Sequence, residues 1–467
     1  MIAHIDYNYL KSHEIFMKRH FYIIALILPI LLFSCKSAGQ IAKTNFDSDV
    51  IQTVKNMNTR QKIGQVLMVN FRYCKASEYS GPKTNLTDFE DASGKIVKVA
   101  PLTHINTTAK KVIQDYHIGN VILFAENLSD LNNAAFMISD MQLLSKSNSD
   151  LPLIISVDQE GGRVNRIFQT ATFPPAKTIG NTQKPELAYA EGKYLAMQLK
   201  ALGINLNFAP VCDVDSNPSN PVIGNRSFSS NPETAGEFAS QLHKGMKDNK
   251  LISCAKHFPG HGDTDVDSHV GLPLVRRSKS EWQKLEAVPF KMVIDEGIPV
   301  IMTAHIQYPG LDSSKITAKK TGRTIIRPAT LSKKILTGIL REKLHYNGVI
   351  CTDAMDMKAI SNNFSESQAV IEALNAGADM ICNPISIIEQ SDLARIEKMY
   401  SEIEDALNSG KLSKSRLDNA VLRIVQLKKD YGILDKKYYR PTDTDLKIIR
   451  SKLENPEFYT FKNKIKN

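Results

Sequence analysis

Cysteine is scarce and has no paired pattern: Cys35, Cys74, Cys212, Cys254, Cys351 and Cys382 are the only six in 467 residues, with no CxxC and no short-range partner. That spacing excludes a zinc ribbon and a disulfide-dense scaffold, and it predicts no essential disulfide. Glycine (24) and proline (20) are too few for a collagen-like or low-complexity chain. With 42% hydrophobic and 23% charged residues, disorder is excluded as the main state. No apolar run reaches the roughly 20 residues that span a bilayer. The excess of Lys plus Arg (59) over Asp plus Glu (49) is too small to argue for a nucleic-acid partner. No internal repeat is visible beyond an alternation of apolar runs and helix-compatible stretches.

What is present begins with an address. Phe21 to Phe33 is an uncharged run, preceded by Lys18, Arg19 and His20 and followed by Ser34 and Cys35. Too short to cross a membrane, it matches the hydrophobic region of a secretory signal. Leu32-Phe33-Ser34-Cys35 resembles a bacterial lipobox, in which cleavage precedes a cysteine that takes a diacylglycerol. The expectation is therefore a signal peptide over 1–34, with 1–16 an upstream start-site artefact because Met17 directly precedes the basic flank. A lipid-anchored tether over 35–48 would follow, making the protein an exported, membrane-anchored cell-envelope lipoprotein. At the other end, nine Lys/Arg face four Asp/Glu from Lys436 onward. Residues 433–467 are expected as a basic tail or terminal helix, either a solvated surface or a contact with anionic lipid or glycan.

Between these ends, eight short apolar runs recur at 62–71, 120–126, 151–158, 204–213, 251–257, 298–305, 348–353 and 377–382. Helix-compatible stretches separate most of them, such as Pro185 to Leu202, Pro232 to Asn249, Ser280 to Glu296 and Ser365 to Ala376. Repeated βα order implies a parallel sheet, and eight units favour a (β/α)8 barrel over 49–432. Barrel active sites sit where strands end. The unusual polar residues fall there: Asp158 and Arg163, Asp213, Lys256 and His257, His305, and Asp353. Tyr73 to Lys110 is a long insertion after the first strand, with no role assigned by its sequence.

The most specific stretch is KHFPGHGDTDVDSH, Lys256 to His269. With VDQEGGRV (Val157 to Val164), NFAPVCDV (Asn207 to Val214), GNRSF (Gly224 to Phe228), TAHIQYP (Thr303 to Pro309), RPATLS (Arg327 to Ser332) and TDAMDM (Thr352 to Met357), it resembles glycoside hydrolase family three, in its bacterial β-N-acetylglucosaminidase branch. The resemblance covers roughly residues 50–430. It implies an exo-acting retaining enzyme that needs no cofactor and no metal. Its substrates would be β-linked N-acetylglucosamine glycans, muropeptides or chitooligosaccharides, and its barrel would lack the further α/β domain of two-domain β-glucosidases.

Retention requires a nucleophilic carboxylate and a proton donor at the leaving oxygen. Asp353, after the apolar GVICT, stands at a strand end as a nucleophile should, and the resemblance gives it that role; read alone, it is equally a helix N-cap. By the same resemblance His269 is the acid/base and Asp267 orients its imidazole. A histidine titrates near working pH, and a neighbouring carboxylate raises its pKa toward efficient proton donation. Gly260, Gly262 and Gly271 bracket this segment and are expected as hinges of a mobile loop. The resemblance also assigns sugar contacts to Asp158, Arg166, Arg226, Lys256 and His257. Asp213 and His305 stay open between contacting substrate and supporting neighbours.

Two metal chemistries fail on spacing. Asp263, Asp265 and Asp267 imitate a calcium loop, but Ser268 stands where glycine is needed and Leu274 where glutamate is needed. His257, His305 and Asp353 suggest a metal-dependent barrel hydrolase, which requires an HxH pair where this chain has Asn70-Phe71-Arg72. Two alternatives remain open: a glycan-binding lipoprotein without catalysis, and a phosphorylase, since a histidine tolerates an incoming phosphate that a catalytic carboxylate repels.

Overall fold

Each of the eight apolar runs holds one strand of a parallel sheet, the fifth strand extending one residue past its run: β1 (Leu67–Asn70), β2 (Asn120–Leu123), β3 (Ile154–Val157), β4 (Leu206–Asn207), β5 (Ile252–Phe258), β6 (Val300–Thr303), β7 (Val349–Cys351) and β8 (Ile381–Cys382). The computed structural model describes residues 45–466 except 80, 92, 149, 266, 269 and 270. Cys35, the signal segment and most of the tether lie outside the described residues, as does His269. The strands pair in the order β7-β6-β5-β4-β3-β2-β1-β8. A parallel bridge from Cys351 to Met380 joins the two ends, so the ring closes into a (β/α)8 barrel. Strands buried on both faces read as continuous apolar runs rather than as alternation, which is why the runs were visible.

The helices start where the sequence supplies caps. Pro232–Asp248 opens with proline in its first turn, and the Asn231 side chain accepts from the Thr234 N–H. The single helix expected from Ser280 to Glu296 is instead two, Lys279–Lys284 and Ala287–Asp295. A proline ring clashes with the carbonyl four residues earlier. For Pro289 that residue is Leu285, and the chain leaves helical geometry there, at φ −124° and ψ −83°.

The insertion after β1 forms a three-stranded antiparallel sheet of Tyr73–Lys75, Thr87–Glu90 and Ile96–Pro101, with the last strand in the middle. Its Lys75 N–H donates to Ile388 and its Glu90 pairs with Lys358, which seats it over the loops after β8 and β7. Residues 433–467 include two helices, Asp443–Leu453 and Pro456–Lys466. Leu453, Phe458 and Phe461 are buried, and the Phe458 ring meets Tyr194 edge-on at 5.0 Å. Lys436, Lys437, Lys447, Lys452 and Lys464 are exposed, outside an apolar contact with helix Pro185–Ala201.

Candidate active site

The strand ends gather a chain of alternating charges. Lys256, at the end of β5, is buried with its ammonium 2.6 Å from Asp158 Oδ1 and 2.6 Å from Glu160 Oε1. Arg226 grips the same Glu160 in bidentate fashion, Nε to Oε2 at 2.8 Å and Nη2 to Oε1 at 2.7 Å. Arg226 Nη2 also lies 3.5 Å from His257 Nε2. On its other side, His257 Nδ1 donates to Asp213 Oδ2 at 2.6 Å. The ladder thus runs Asp158, Lys256, Glu160, Arg226, His257, Asp213. Its most exposed member is Asp158, whose side chain is 20% accessible, while Asp213 is fully enclosed. Free lone pairs are therefore offered at the Asp158 end, and the buried end holds the rest in place.

Burial alone would push both Glu160 and Lys256 toward their neutral forms. The charges of Arg226 and Lys256 overcome it and hold Glu160 well below the usual carboxylate range. Asp158 and Glu160 likewise raise Lys256 above an ordinary lysine. Asp213 is also depressed against its burial, by His257 and His261. Glu160, Lys256 and Asp213 therefore stay ionised across the working pH range.

Asp353 follows β7. Burial would raise its pKa, but the imidazoles of His305 and His257, the Ala354 N–H and Lys256 carry it below the ordinary value, so it stands as a carboxylate. Its Oδ1 accepts from the Ala354 N–H at 2.8 Å. It is no helix cap, because the next helix, Lys358–Ser361, has Met357 at that position. His305, fully buried, donates through Nε2 to the Ala354 carbonyl at 3.0 Å and meets Thr330 through Nδ1. It braces the turn that presents Asp353. Both residues that the sequence left open, Asp213 and His305, are spent on neighbours.

The loop after β5 is anchored at its base. The His261 N–H donates to Asp213 Oδ1 at 2.6 Å, and its Nδ1 meets Thr264 Oγ1 at 2.7 Å. The Asn220 amide donates to the carbonyls of His261 and Gly262. Arg277 adds a clamp, with Nε 2.9 Å from Asp263 and 3.1 Å from the buried Glu286. Gly260 and Gly262, expected as hinges, are close-packing positions instead. A Cβ on Gly262 would lie 1.8 Å from the Val214 carbonyl oxygen, and one on Gly260, at φ +127°, would lie 2.6 Å from Glu286 Cβ. Further along, the Gly271 N–H donates to the Asp267 carbonyl and the Ala359 N–H to the Ser268 carbonyl at 3.1 Å. That second bond ties the loop carrying Asp267 to the segment just past Asp353.

Arg166 keeps a different kind of opening. Its backbone N–H donates to Gln159 Oε1 at 2.7 Å, while its buried Nε has no hydrogen-bond partner among the described residues. An unpaired buried donor is suited to a ligand acceptor. The structure therefore joins Asp158, Lys256, Arg226 and His257 in one network, sets Arg166 beside it in sequence through Gln159, and brings the Asp267 loop to the Asp353 segment. Sequence reasoning missed Glu160, though it lies inside VDQEGGRV, and missed the Arg277–Asp263–Glu286 clamp, which no local pattern announces.

The family description Glycosyl hydrolase family 3 N terminal domain matches residues 58–427. A protein named Beta-hexosaminidase A from Pseudoalteromonas piscicida is 40% identical over 379 residues, 80% of this chain, and the match spans 61% of that relative's length. A Beta-hexosaminidase of Thiobacillus denitrificans is 34% identical over 59% of this chain and 74% of its own. Among solved structures, a family 3 β-N-acetylglucosaminidase from a Paenibacillus species superposes with a TM-score of 0.69 at 30% identity, covering 85% of this chain and 68% of the other. With its barrel, its strand-end ladder and a match across most of its length, the chain belongs to glycosyl hydrolase family 3.

Proposed function

We propose that the protein is an exo-acting, retaining β-N-acetylglucosaminidase that releases terminal N-acetylglucosamine from β-linked glycans, peptidoglycan fragments among them. Asp353 attacks the anomeric carbon and forms a glycosyl ester while His269, oriented by Asp267, protonates the leaving oxygen. His269 then takes a proton from the water that cleaves the ester. Asp158 accepts from sugar hydroxyls, with Arg166, Arg226, Lys256 and His257 around the same sugar. The observation that carries this reading is the Ala359 to Ser268 backbone bond. It supports a site in which a fixed, ionised carboxylate and the Asp267–His269 segment act on one glycosidic bond.

The names of the relatives support the sugar class. The Leu32-Phe33-Ser34-Cys35 sequence supports export and lipid attachment at Cys35, hence a cell-envelope location.

The test is turnover of an aryl β-N-acetylglucosaminide beside the matching β-glucoside. Activity on the first alone is expected, falling on the order of 10⁴-fold or more in Asp353→Ala. His269→Ala should slow substrates with poor leaving groups far more than activated aryl ones, and equal losses would remove it from the acid/base role. In phosphate buffer the product should be free N-acetylglucosamine; its 1-phosphate would mean phosphorolysis. Inactivity on both substrates would return weight to a glycan-binding protein.

A further inference from the structure

Five lysines stand close together with no acidic partner. Lys200 and Lys250 lie at the C-terminal ends of helices Pro185–Ala201 and Pro232–Asp248, Lys436 and Lys437 just past helix Lys414–Asp430, and Lys452 in helix Asp443–Leu453. None is in an ion pair among the described residues, although most buried or half-buried cations elsewhere in the barrel are paired. Lys200 does cap a helix end, donating to the Asn249 carbonyl at 2.9 Å. The helix dipole also favours Lys250 and Lys452, at or just past helix C-terminal ends, but it does not account for Lys437, and the side chains of Lys250, Lys437 and Lys452 make no hydrogen bond among the described residues. Partial burial, and then the charges of Lys436, Lys250 and Lys452, hold Lys200 below the ordinary lysine range. A negative partner would relieve that repulsion.

Lys200, Lys436, Lys437 and Lys452, with Asp445, rim a groove of about 290 Å³ whose walls include Leu202, Tyr438, Ile448 and Ile449. Two large apolar side chains on its edge face water, Tyr439 at 61% and Ile448 at 48% exposure. Cations beside exposed aromatic and aliphatic groups suit an interface that is anionic at the surface and hydrocarbon beneath. A soluble polyanion gives Ile448 and Tyr439 nothing to bury. The groove also has a fixed place in the barrel. Helices run antiparallel to the strands, so helix C-terminal ends lie opposite the strand ends that carry Lys256, His257 and Asp353. Asp47 and Asp49, at the start of the barrel unit, pair with Lys429 at this same end.

We propose that this end of the barrel docks on an anionic lipid bilayer, with Lys200, Lys250, Lys436, Lys437 and Lys452 facing phosphate headgroups and Ile448 and Tyr439 entering the interface. The active-site mouth then points away from the membrane, toward soluble glycans. The surface acts whether or not Cys35 carries lipid. If Cys35 does carry it, chain and surface supply the two signals that stable anchoring needs, a single acyl chain being marginal.

The experiment uses residues 46–467, a compact unit with its own core, and flotation with phosphatidylcholine vesicles that contain or lack phosphatidylglycerol. Binding is expected only with the anionic lipid, and should vanish in about 1 M salt, where the Debye length is about 3 Å. Each interfacial lysine contributes roughly fivefold, so Lys436→Gln/Lys437→Gln/Lys452→Gln should weaken partitioning about 100-fold. Tyr439→Ser/Ile448→Ser should weaken it without changing its salt dependence. Hydrolysis of the aryl substrate should be unchanged in both, which separates this surface from the proposed activity. Equal partitioning onto neutral vesicles, or a triple variant that binds like the parent, overturns the proposal. So does a site that takes inorganic pyrophosphate while ignoring vesicles, since it would then serve soluble anions.

Discussion

Glu160 decides whether the ladder at the strand ends holds together. Among the described residues it is the one carboxylate that touches both Lys256 and Arg226, and its partners reach it from β5 and from a turn 66 residues away. Glu160→Gln keeps the shape and removes the charge, leaving two buried cations with less compensation. Breaking one side of such a pair costs about 3–5 kcal/mol. The expected outcome is a loss of that order in urea unfolding, with a raised KM, because Asp158 must then neutralise Lys256 alone and becomes a poorer acceptor for sugar. Unchanged stability would mean the two cations are solvated rather than paired. Asp158, Lys256, His257 and Arg226 were legible in the sequence because strand ends and family motifs mark them. Glu160 was not, because its role is set by residues far along the chain, and a glutamate two places past a strand-end aspartate reads as surface.

At the scale of elements, the base of the loop after β5 shows why glycine in a sequence does not by itself report motion. Its glycines suggest hinges, yet Gly262 exists to let the loop approach the Val214 carbonyl, and Gly260 sits against Glu286 in a conformation unfavourable for other residues. Asn220, Asp213 and Arg277 then fasten the base of the loop. Gly262→Ala would force the loop base off Val214. It should cost about 1–3 kcal/mol, as overpacking does, and lower kcat for natural-type leaving groups more than for activated ones, because it displaces the Asp267 segment rather than Asp353. Wild-type melting and kinetics would show that the backbone yields freely there. The eight strands were legible as apolar runs buried on both faces. The break before Pro289 was foreseeable from the proline rule but hidden by the apolar spacing around it, and the insertion's small sheet had too few apolar residues to signal strands.

Over the whole molecule, buried titratable groups give stability a defined pH dependence. His243, between Ser253 and the Glu296 carbonyl, and His261, at the base of the β5 loop, are both held at about 4, first by burial. In the unfolded chain each titrates near 6.5. Between pH 6.5 and 4 the unfolded chain therefore binds protons that the folded protein refuses, and stability falls as pH falls through that window. Glu286 works the other way. Burial pushes it up to about 7, so the folded protein takes up its proton between pH 7 and the ordinary 4.5, a contribution that grows on acidification. Glu191, also raised by burial, acts in the same direction as Glu286, so two histidines oppose two carboxyls, each histidine being worth on the order of 3 kcal/mol. The depressed carboxylates Asp213, Asp353 and Asp379 are lost only at lower pH, below their ordinary value of 3.8. The loss of stability through the two histidines should thus begin near pH 6.5, before the site's own carboxylates protonate. His243→Gln separates this from general acid effects, because the amide retains polar atoms toward Ser253 and the Glu296 carbonyl but cannot titrate. Its urea midpoint should fall less than the parent's between pH 6.5 and 4, with the two proteins closest at the acid end. Parallel curves for the two proteins would mean that His243 opens to solvent before the protein unfolds, and that the acid limb belongs to His261 and the loop it anchors.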